Sequence, residues 1–187
     1  MKTICLLGAS GSIGMQTLEV IEKNPSEFIL ISFSVGHNYK VIEPILSKHK
    51  QVKFVYLIEN DIVDLLMQKY PEITFLTGTH DLENIISLSN PYMVVNALVG
   101  FSGLLPSIRA LEEDRVLALA NKESLIVGGE IINKILETKG KLYPIDSEHS
   151  AIWKCLKVDD QNVDKLIITA SGGAFRDLSR EELKSVT

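Results

Sequence analysis

Short, almost uninterrupted apolar blocks such as Phe28-Ile29-Leu30-Ile31 and Met93-Val94-Val95 alternate with longer amphipathic stretches. A strand with one face in water alternates apolar and polar residues. A run without that alternation is covered on both faces, as in a parallel sheet with helices above and below it. Strands are expected at 3–7, 28–35, 53–57, 74–76, 92–96, 115–118, 141–144 and 165–169, and helices at 13–23, 39–48, 62–69, 82–88, 103–112, 122–137 and 147–156. The helix at 62–69 shows the period through Ile62, Leu65, Leu66 and Lys69. Such alternation predicts an α/β domain with a doubly wound parallel sheet and right-handed crossovers. A chain of 187 residues accommodates one such domain and the start of a second.

The first strand runs into Gly8-Ala9-Ser10-Gly11-Ser12-Ile13-Gly14, and a helix comes next. This is a variant of the dinucleotide fingerprint. Glycine permits the tight turn and lets the backbone approach a pyrophosphate, while the helix N-terminus offers unpaired N–H groups and partial positive charge. Ser10 and Ser12 add hydroxyls. The bland alternative is a tight βα turn without a ligand. The second strand ends at Ser34-Val35-Gly36-His37-Asn38, with Lys40 close behind and no acidic residue where an NAD-specific fold places one for the ribose 2′-hydroxyl. A carboxylate there would repel a 2′-phosphate, so NADP is favoured over NAD. His37 taken alone reads as a solvated loop histidine.

Ligands of open α/β sheets bind beyond the carboxyl ends of the strands. Three uncommon segments fall there: Asn96-Ala97-Leu98-Val99-Gly100, Asn121-Lys122-Glu123 and Asp146-Ser147-Glu148-His149. Asn121 could cap the next helix, and Asp146 or Ser147 the one after. If 146–148 is extended, Asp146 and Glu148 point to one side, and paired carboxylates without a cysteine suit a hard ion such as Mg²⁺ or Mn²⁺. His149 would then face away. A last segment, Thr169-Ala170-Ser171-Gly172-Gly173-Ala174-Phe175-Arg176, offers N–H groups and a hydroxyl that could grip an anion, or is an ordinary glycine loop.

Composition narrows the function classes. A net charge of −5 and a pI near 5.4 disfavour a basic nucleic-acid-binding surface. The apolar start at 4–7 is too short for a signal sequence, and the uncharged stretch 84–108 carries Asn90, Pro91, Gly100, Gly103 and Pro106, which suit strand–loop–helix rather than a membrane span. Cys5 and Cys155 form no framework and read as buried thiols in a reducing compartment. The chain is expected to be soluble and cytosolic. The capping box Ser179-Arg180-Glu181-Glu182 predicts a helix from about Arg180, close to the final Thr187, so the chain reads as a fragment cut within a second domain.

Taken together, the segments at 8–14, 36–38, 119–125, 145–151 and 169–176 closely resemble the N-terminal part of the 1-deoxy-D-xylulose 5-phosphate reductoisomerase family, in the family's order. The resemblance implies a Rossmann-type NADPH-binding domain at 1–148 and a truncated catalytic α/β domain at 149–187. It implies that Ser10, Gly11, Ser12 and Ile13 hold the NADPH pyrophosphate. Gly36, His37 and Asn38 would meet the adenosine end, a histidine standing where many relatives carry a basic residue. Asn121 and Glu123 would line the cofactor site. Asp146 and Glu148 would bind Mg²⁺ or Mn²⁺. Lys122, Ser147, Glu148 and Ser171 would contact the substrate, with Lys122 and Glu148 catalytic.

The implied reaction rearranges and reduces 1-deoxy-D-xylulose 5-phosphate to 2-C-methyl-D-erythritol 4-phosphate in non-mevalonate isoprenoid biosynthesis. The resemblance implies a homodimer at full length and a small phosphorylated sugar as partner, with no nucleic acid or membrane. The family's third acidic metal ligand and closing loop would lie beyond Thr187, so the chain alone is expected to be inactive. The competing readings are another NADP-dependent oxidoreductase, which would need a catalytic cysteine on a loop where Cys155 sits in an apolar helix, a non-catalytic NADP-binding module, and a structural interaction domain.

Overall fold

The computed structural model describes residues 1–58, 61–158, 163–167, 175 and 177–186. They fall into two compact units, Met1–Ala151 and Ile152–Thr187. The first unit holds β1 (Lys2–Leu7), α1 (Ser12–Lys23), β2 (Phe28–Ser34), α2 (Ile42–Lys48), β3 (Phe54–Tyr56), α3 (Ile62–Lys69) and β4 (Thr74–Leu76). It continues through α4 (Asp81–Ser89), β5 (Met93–Asn96), α5 (Leu104–Glu112), β6 (Val116–Leu119), α6 (Glu123–Leu136) and β7 (Lys141–Pro144). The last helix, α7 (Ser147–Val158), begins within this unit.

The seven strands form one sheet in the order β4-β3-β2-β1-β5-β6-β7, every pairing parallel. The chain winds outward from β1 to β4, crosses back through α4, and winds outward again from β5 to β7. The order therefore reverses between β1 and β5, which is where a doubly wound sheet opens a crevice at its carboxyl edge.

Two cores lie on opposite faces of the sheet, as the unbroken apolar blocks require. Ile4 and Leu6 of β1 face one core with Leu18, Ile21, Ile45 and Leu66, and Cys5 and Leu7 face the other with Ile86, Leu111, Leu117 and Ile132. Successive strand side chains point to opposite faces, so both sets must be apolar for helices to cover both sides. The uncharged stretch 84–108 resolves into the end of α4, β5, a 3₁₀ turn at Gly100–Gly103 and the start of α5. No helix among the described residues is long and apolar enough to cross a membrane.

Several local expectations change. The helix expected from Tyr39 opens with a 3₁₀ turn, Tyr39–Val41, before α2 begins at Ile42. In α3 the buried positions are Val63 and Leu66, while Leu65 is exposed, because the stripe facing the core is centred on 63 and 66. Cys5 is fully buried, and that burial pushes its thiol up to about 12 despite hydrogen bonds with Ser32 and Ser89. Cys155 is exposed on α7, contrary to the expectation that both thiols are buried.

In the second unit, Lys157 Nζ sits 3.9 Å from the centroid of the Trp153 ring. Of the strand expected at 165–169, residues 165–167 are exposed and carry no regular structure. They have no paired neighbour among the described residues, and a strand needs a ladder. The rest of that strand lies outside the described residues. The capping box forms: the Ser179 N–H and hydroxyl donate to Glu182 Oε2 at 2.7 and 2.6 Å, and the Glu182 N–H donates to Ser179 Oγ at 3.4 Å. The box opens onto a 3₁₀ turn, Glu182–Ser185, instead of the expected α-helix. A helix this short has too few internal bonds to repay its nucleation.

Candidate functional site

All seven strands are parallel, so the loops after them share one edge, and a chain of contacts ties five of them together. The ladder continues past the strand ends: Ala9 N–H donates to Ser34 O at 2.8 Å, Ala97 N–H to Leu7 O at 2.9 Å, Ala120 N–H to Asn96 O at 2.9 Å and Ile145 N–H to Leu119 O at 3.0 Å. The segments at 8–14, 36–38, 96–100, 121–123 and 146–149 thus lie side by side at the carboxyl edge.

The glycine turn is built by close backbone approach. Gly8 has φ +84°, and a Cβ there would stand 2.6 Å from Ala97 O. A Cβ on Gly14 would stand 2.2 Å from Gly8 O and 2.8 Å from Ala9 Cα. These two glycines are required by packing, since the turn is pinned between the β5 loop and the first turn of α1. Gly11 differs: a Cβ there would meet Gly8 O at an ordinary 3.4 Å. Gly11 and Ser12 are exposed, and Ser10 and Ile13 are half-buried. Met15 is the first residue of α1 whose N–H reaches a helical carbonyl, Gly11 O at 2.9 Å. The helix has no side-chain cap and no acidic residue in its first turn. The N–H groups of Ser12, Ile13 and Gly14 therefore remain for an anion, the arrangement a pyrophosphate needs. Ser34 is a residue that sequence pattern does not single out. It is buried, and its Oγ accepts the Gly8 N–H at 2.9 Å. Its one signal is a serine at the end of the otherwise apolar strand β2.

After β2, Gly36 is half-buried and has nothing within 4 Å of where its Cβ would stand, while His37 and Asn38 are exposed. His37 and Asn38 border an open cleft of about 820 Å³ with Tyr39, Lys40 and Glu43.

Two buried amides hold the β5 and β6 loops. Asn96 Nδ2 donates to Gly103 O and Ser107 Oγ, both at 2.8 Å, and its Oδ1 accepts the Leu98 N–H at 3.2 Å. Asn121 is 1% exposed. Its Nδ2 donates to Leu98 O at 3.0 Å and Gly100 O at 2.8 Å, and its Oδ1 accepts the Ser124 N–H at 3.0 Å and the Ser124 hydroxyl. The capping alternative for Asn121 is therefore realised. Its whole hydrogen-bonding capacity is spent inward, which aligns the loop that carries exposed Lys122 and half-buried Glu123.

The 146–149 segment is not extended. Asp146 ends the β7 loop, and Ser147 and Glu148 form the first turn of α7. Asp146 caps that helix: its Oδ1 accepts the His149 N–H at 2.9 Å, and both carboxylate oxygens lie 2.8 Å from His149 Nδ1. His149 thus turns toward Asp146 instead of away, because one helical turn brings position i+3 back over the cap. Glu148 Oε2 accepts the Ser147 hydroxyl at 2.8 Å, and Lys122 Nζ lies 3.9 Å from Glu148 Oε1. The Ser147 hydroxyl and Glu148's own N–H hold the Glu148 carboxyl below its usual value, aided by the Lys122 charge and opposed by Asp146. Glu148 is therefore ionised at neutral pH, in the form that binds cations. Among the described residues no three His, Cys, Asp or Glu side chains converge as a complete metal shell. Asp146 and Glu148 supply carboxylate oxygens, the donor type a hard divalent cation takes, although the helix start removes the extended geometry expected to point them to one side. Ser171 lies outside the described residues.

A model of the 1-deoxy-D-xylulose 5-phosphate reductoisomerase family matches residues 4–129, and a model of that enzyme's C-terminal domain matches residues 142–187. The chain belongs to the 1-deoxy-D-xylulose 5-phosphate reductoisomerase family. It is 43% identical over 190 residues to the enzyme of that name from Geobacillus sp. (strain WCH70) and 43% identical over 191 residues to that of Bacillus subtilis (strain 168), covering 100% of this chain and 50% of each relative. A crystal structure of the reductoisomerase with NADPH, fosmidomycin and magnesium is 28% identical and superposes with a TM-score of 0.82, covering 100% of this chain and 49% of that one. The Zymomonas mobilis reductoisomerase with NADPH gives 30% identity and a TM-score of 0.82, covering 100% of this chain and 50% of that one. The chain spans about half the length of the curated relatives it matches.

Proposed function

We propose that this chain is the cofactor-binding part and the beginning of the catalytic part of an NADPH- and Mg²⁺- or Mn²⁺-dependent reductoisomerase that converts 1-deoxy-D-xylulose 5-phosphate to 2-C-methyl-D-erythritol 4-phosphate. The observation that carries the reading is the continuous set of contacts at the carboxyl edge, from Ser34 and Gly8 through Ala97 and Asn121 to the Lys122–Glu148 pair. An anion-receptive helix start, a cation and two carboxylates at the same edge of the sheet support this reading.

In this reading the N–H groups and hydroxyls of Ser10, Gly11, Ser12 and Ile13 hold the pyrophosphate. Gly36, His37 and Asn38 hold the adenosine end, and Asn121 and Glu123 shape the wall nearer the reaction. When bound, NADPH supplies the hydride and the metal supplies Lewis-acid polarisation of the substrate's oxygens. Asp146 and Glu148 hold that metal from a helix start whose geometry the Asp146 cap already sets. Lys122 and Glu148 form a loose, exposed pair that contributes little to stability. Lys122 is therefore available to turn toward negative charge developing on substrate oxygen, where a placed cation is worth far more. Ser147 and Ser171 orient the substrate by hydrogen bonding.

The whole enzyme acts as a cytoplasmic homodimer on a small phosphorylated sugar, without nucleic acid or membrane, and residues 1–148 form its cofactor domain. The 187 residues alone bind nucleotide without turnover. Titration of the folded chain with NADPH, monitored by nucleotide fluorescence, should show saturable binding. Adding substrate and Mg²⁺ should leave the NADPH absorbance constant. A folded chain that ignores NADPH would refute the cofactor reading, and steady oxidation would refute the claim of inactivity.

A further inference from the structure

The clefts beside the β2 loop carry an unusual distribution of charge. The cleft of about 820 Å³ is bordered by His37, Asn38, Lys40 and Glu43, and its floor includes Leu66. A second cleft, of about 510 Å³, shares Asn38, Lys40 and Pro44 with it and opens toward Glu19 and Glu22 of α1, with Lys48 at the end of α2 also on its lining. Three carboxylates therefore border the two clefts, and each is engaged by a lysine. Glu43 Oε2 lies 2.6 Å from Lys69 Nζ, Glu22 Oε2 lies 3.0 Å from Lys48 Nζ, and Glu19 Oε2 lies 3.6 Å from Lys23 Nζ. Lys40, on the wall common to both clefts, has no ion pair with any described residue. His37 is exposed and likewise without a partner among them.

The location gives this arrangement a meaning. In a doubly wound sheet the residues just past β2 meet the ribose of the adenosine half. A carboxylate there selects an unmodified 2′-hydroxyl, and a free cation selects a 2′-phosphate. Here Glu43 borders the cleft but is matched by Lys69, from the last turn of α3. The pairing is close enough to raise the Lys69 pKa, through its hydrogen bond to Glu43 first.

We infer that Lys40 is the cation that reads the 2′-phosphate of the cofactor, and that Lys69 sets the same preference indirectly by neutralising Glu43 on the cleft wall. The inference rests on the NADPH reading above and deepens it. His37, exposed on the same loop, is then a hydrogen-bonding neighbour of the phosphate beside the Lys40 charge. Lys40 is a binding residue for the phosphate; Lys69 is a positioning residue that acts through Glu43.

The test is a set of equilibrium titrations of the full 187-residue chain with NADPH and NADH, and with 2′,5′-ADP and 5′-AMP as fragments carrying and lacking the phosphate. Lys40→Gln should weaken NADPH and 2′,5′-ADP binding by about tenfold, the scale of one charge-assisted hydrogen bond, and leave NADH and 5′-AMP unchanged. Lys69→Gln should weaken NADPH severalfold through the bared Glu43 charge, and Glu43→Gln added to it should restore the loss, a coupling that a merely structural role would not give. Both lysines are exposed, and unchanged thermal unfolding would confirm that the variants fold. A Lys40→Gln chain that keeps the wild-type NADPH-to-NADH ratio, or loses both nucleotides equally, overturns the inference while leaving the NADPH reading intact. Wild-type protein that binds neither nucleotide overturns the reading itself, and this inference with it.

Discussion

The contrast between Gly14 and Gly11 separates packing from ligand binding within one turn. Ala at position 14 would place its Cβ 2.2 Å from Gly8 O, 2.8 Å from Ala9 Cα and 2.9 Å from Ala9 C. All three atoms are backbone, so no side chain can rotate aside. The backbone they belong to is itself trapped, because the position of a Gly8 Cβ already lies 2.6 Å from Ala97 O. Overpacking costs about 1–3 kcal/mol, and a contact against immovable backbone belongs at the upper end. The better helix propensity of alanine returns about 1 kcal/mol. The net is a destabilisation of about 2 kcal/mol, or a fall in Tm of about 4–8 °C for a chain this size.

Gly11 has φ −81° and ψ 171°, ordinary values for any residue, and its nearest Cβ contact would be 3.4 Å. Gly11→Ser should therefore change stability by less than about 0.5 kcal/mol, serine being a favoured N-cap. It should instead abolish the rise in Tm that NADPH produces, by filling the space a pyrophosphate would approach. Thermal unfolding monitored by circular dichroism, with and without NADPH, reads both effects. A Gly14→Ala protein that melts within about 1 °C of wild type would refute the argument, since the turn would then yield to α1.

Two further substitutions probe buried groups. Asn121→Ala strands the part-buried carbonyls of Leu98 and Gly100 and the buried Ser124 N–H. Urea unfolding should show a loss of about 3 kcal/mol, and a loss below about 1 kcal/mol would mean the loop finds other partners. His49 is buried with no hydrogen-bond partner for Nε2, which lies 3.7 Å from Glu22 Oε1. Burial lowers its pKa below 6.5, with Lys48 adding to that effect and Glu22 opposing it. The unfolded chain then takes up a proton before the native one does, so stability is held above pH 6.5 and lost as pH falls through the lower native value. The urea midpoint should drop between about pH 7.5 and about pH 5.5, and His49→Gln should flatten that drop. An equal drop in the variant would assign the effect elsewhere.

Much of the architecture was legible locally. The unbroken apolar blocks of β1, β2 and β5 report burial on two faces, which only a sheet covered by helices on both sides provides. Gly8-Ala9-Ser10-Gly11-Ser12-Ile13-Gly14 reports a strand-to-helix turn because positive φ and close approach leave no alternative to glycine at Gly8 and Gly14. These are constraints within a few residues of one another, and one-dimensional pattern records them.

Tertiary structure decided what depends on partners far away in sequence. Ser34 supports the glycine turn from 26 residues away, and Asn121 secures a loop more than 20 residues before it. Neither residue type announces such a role. Whether Asp146 and Glu148 lie on an extended segment or a helix start depended on where β7 ends and α7 caps, which turned His149 toward Asp146. The charge state of the β2 clefts depended on Lys69 reaching Glu43 across two helices. Local patterning selects the elements because burial and backbone conformation act on neighbouring residues. The hydrogen bonds and ion pairs that tune the crevice join residues that only the folded sheet brings together.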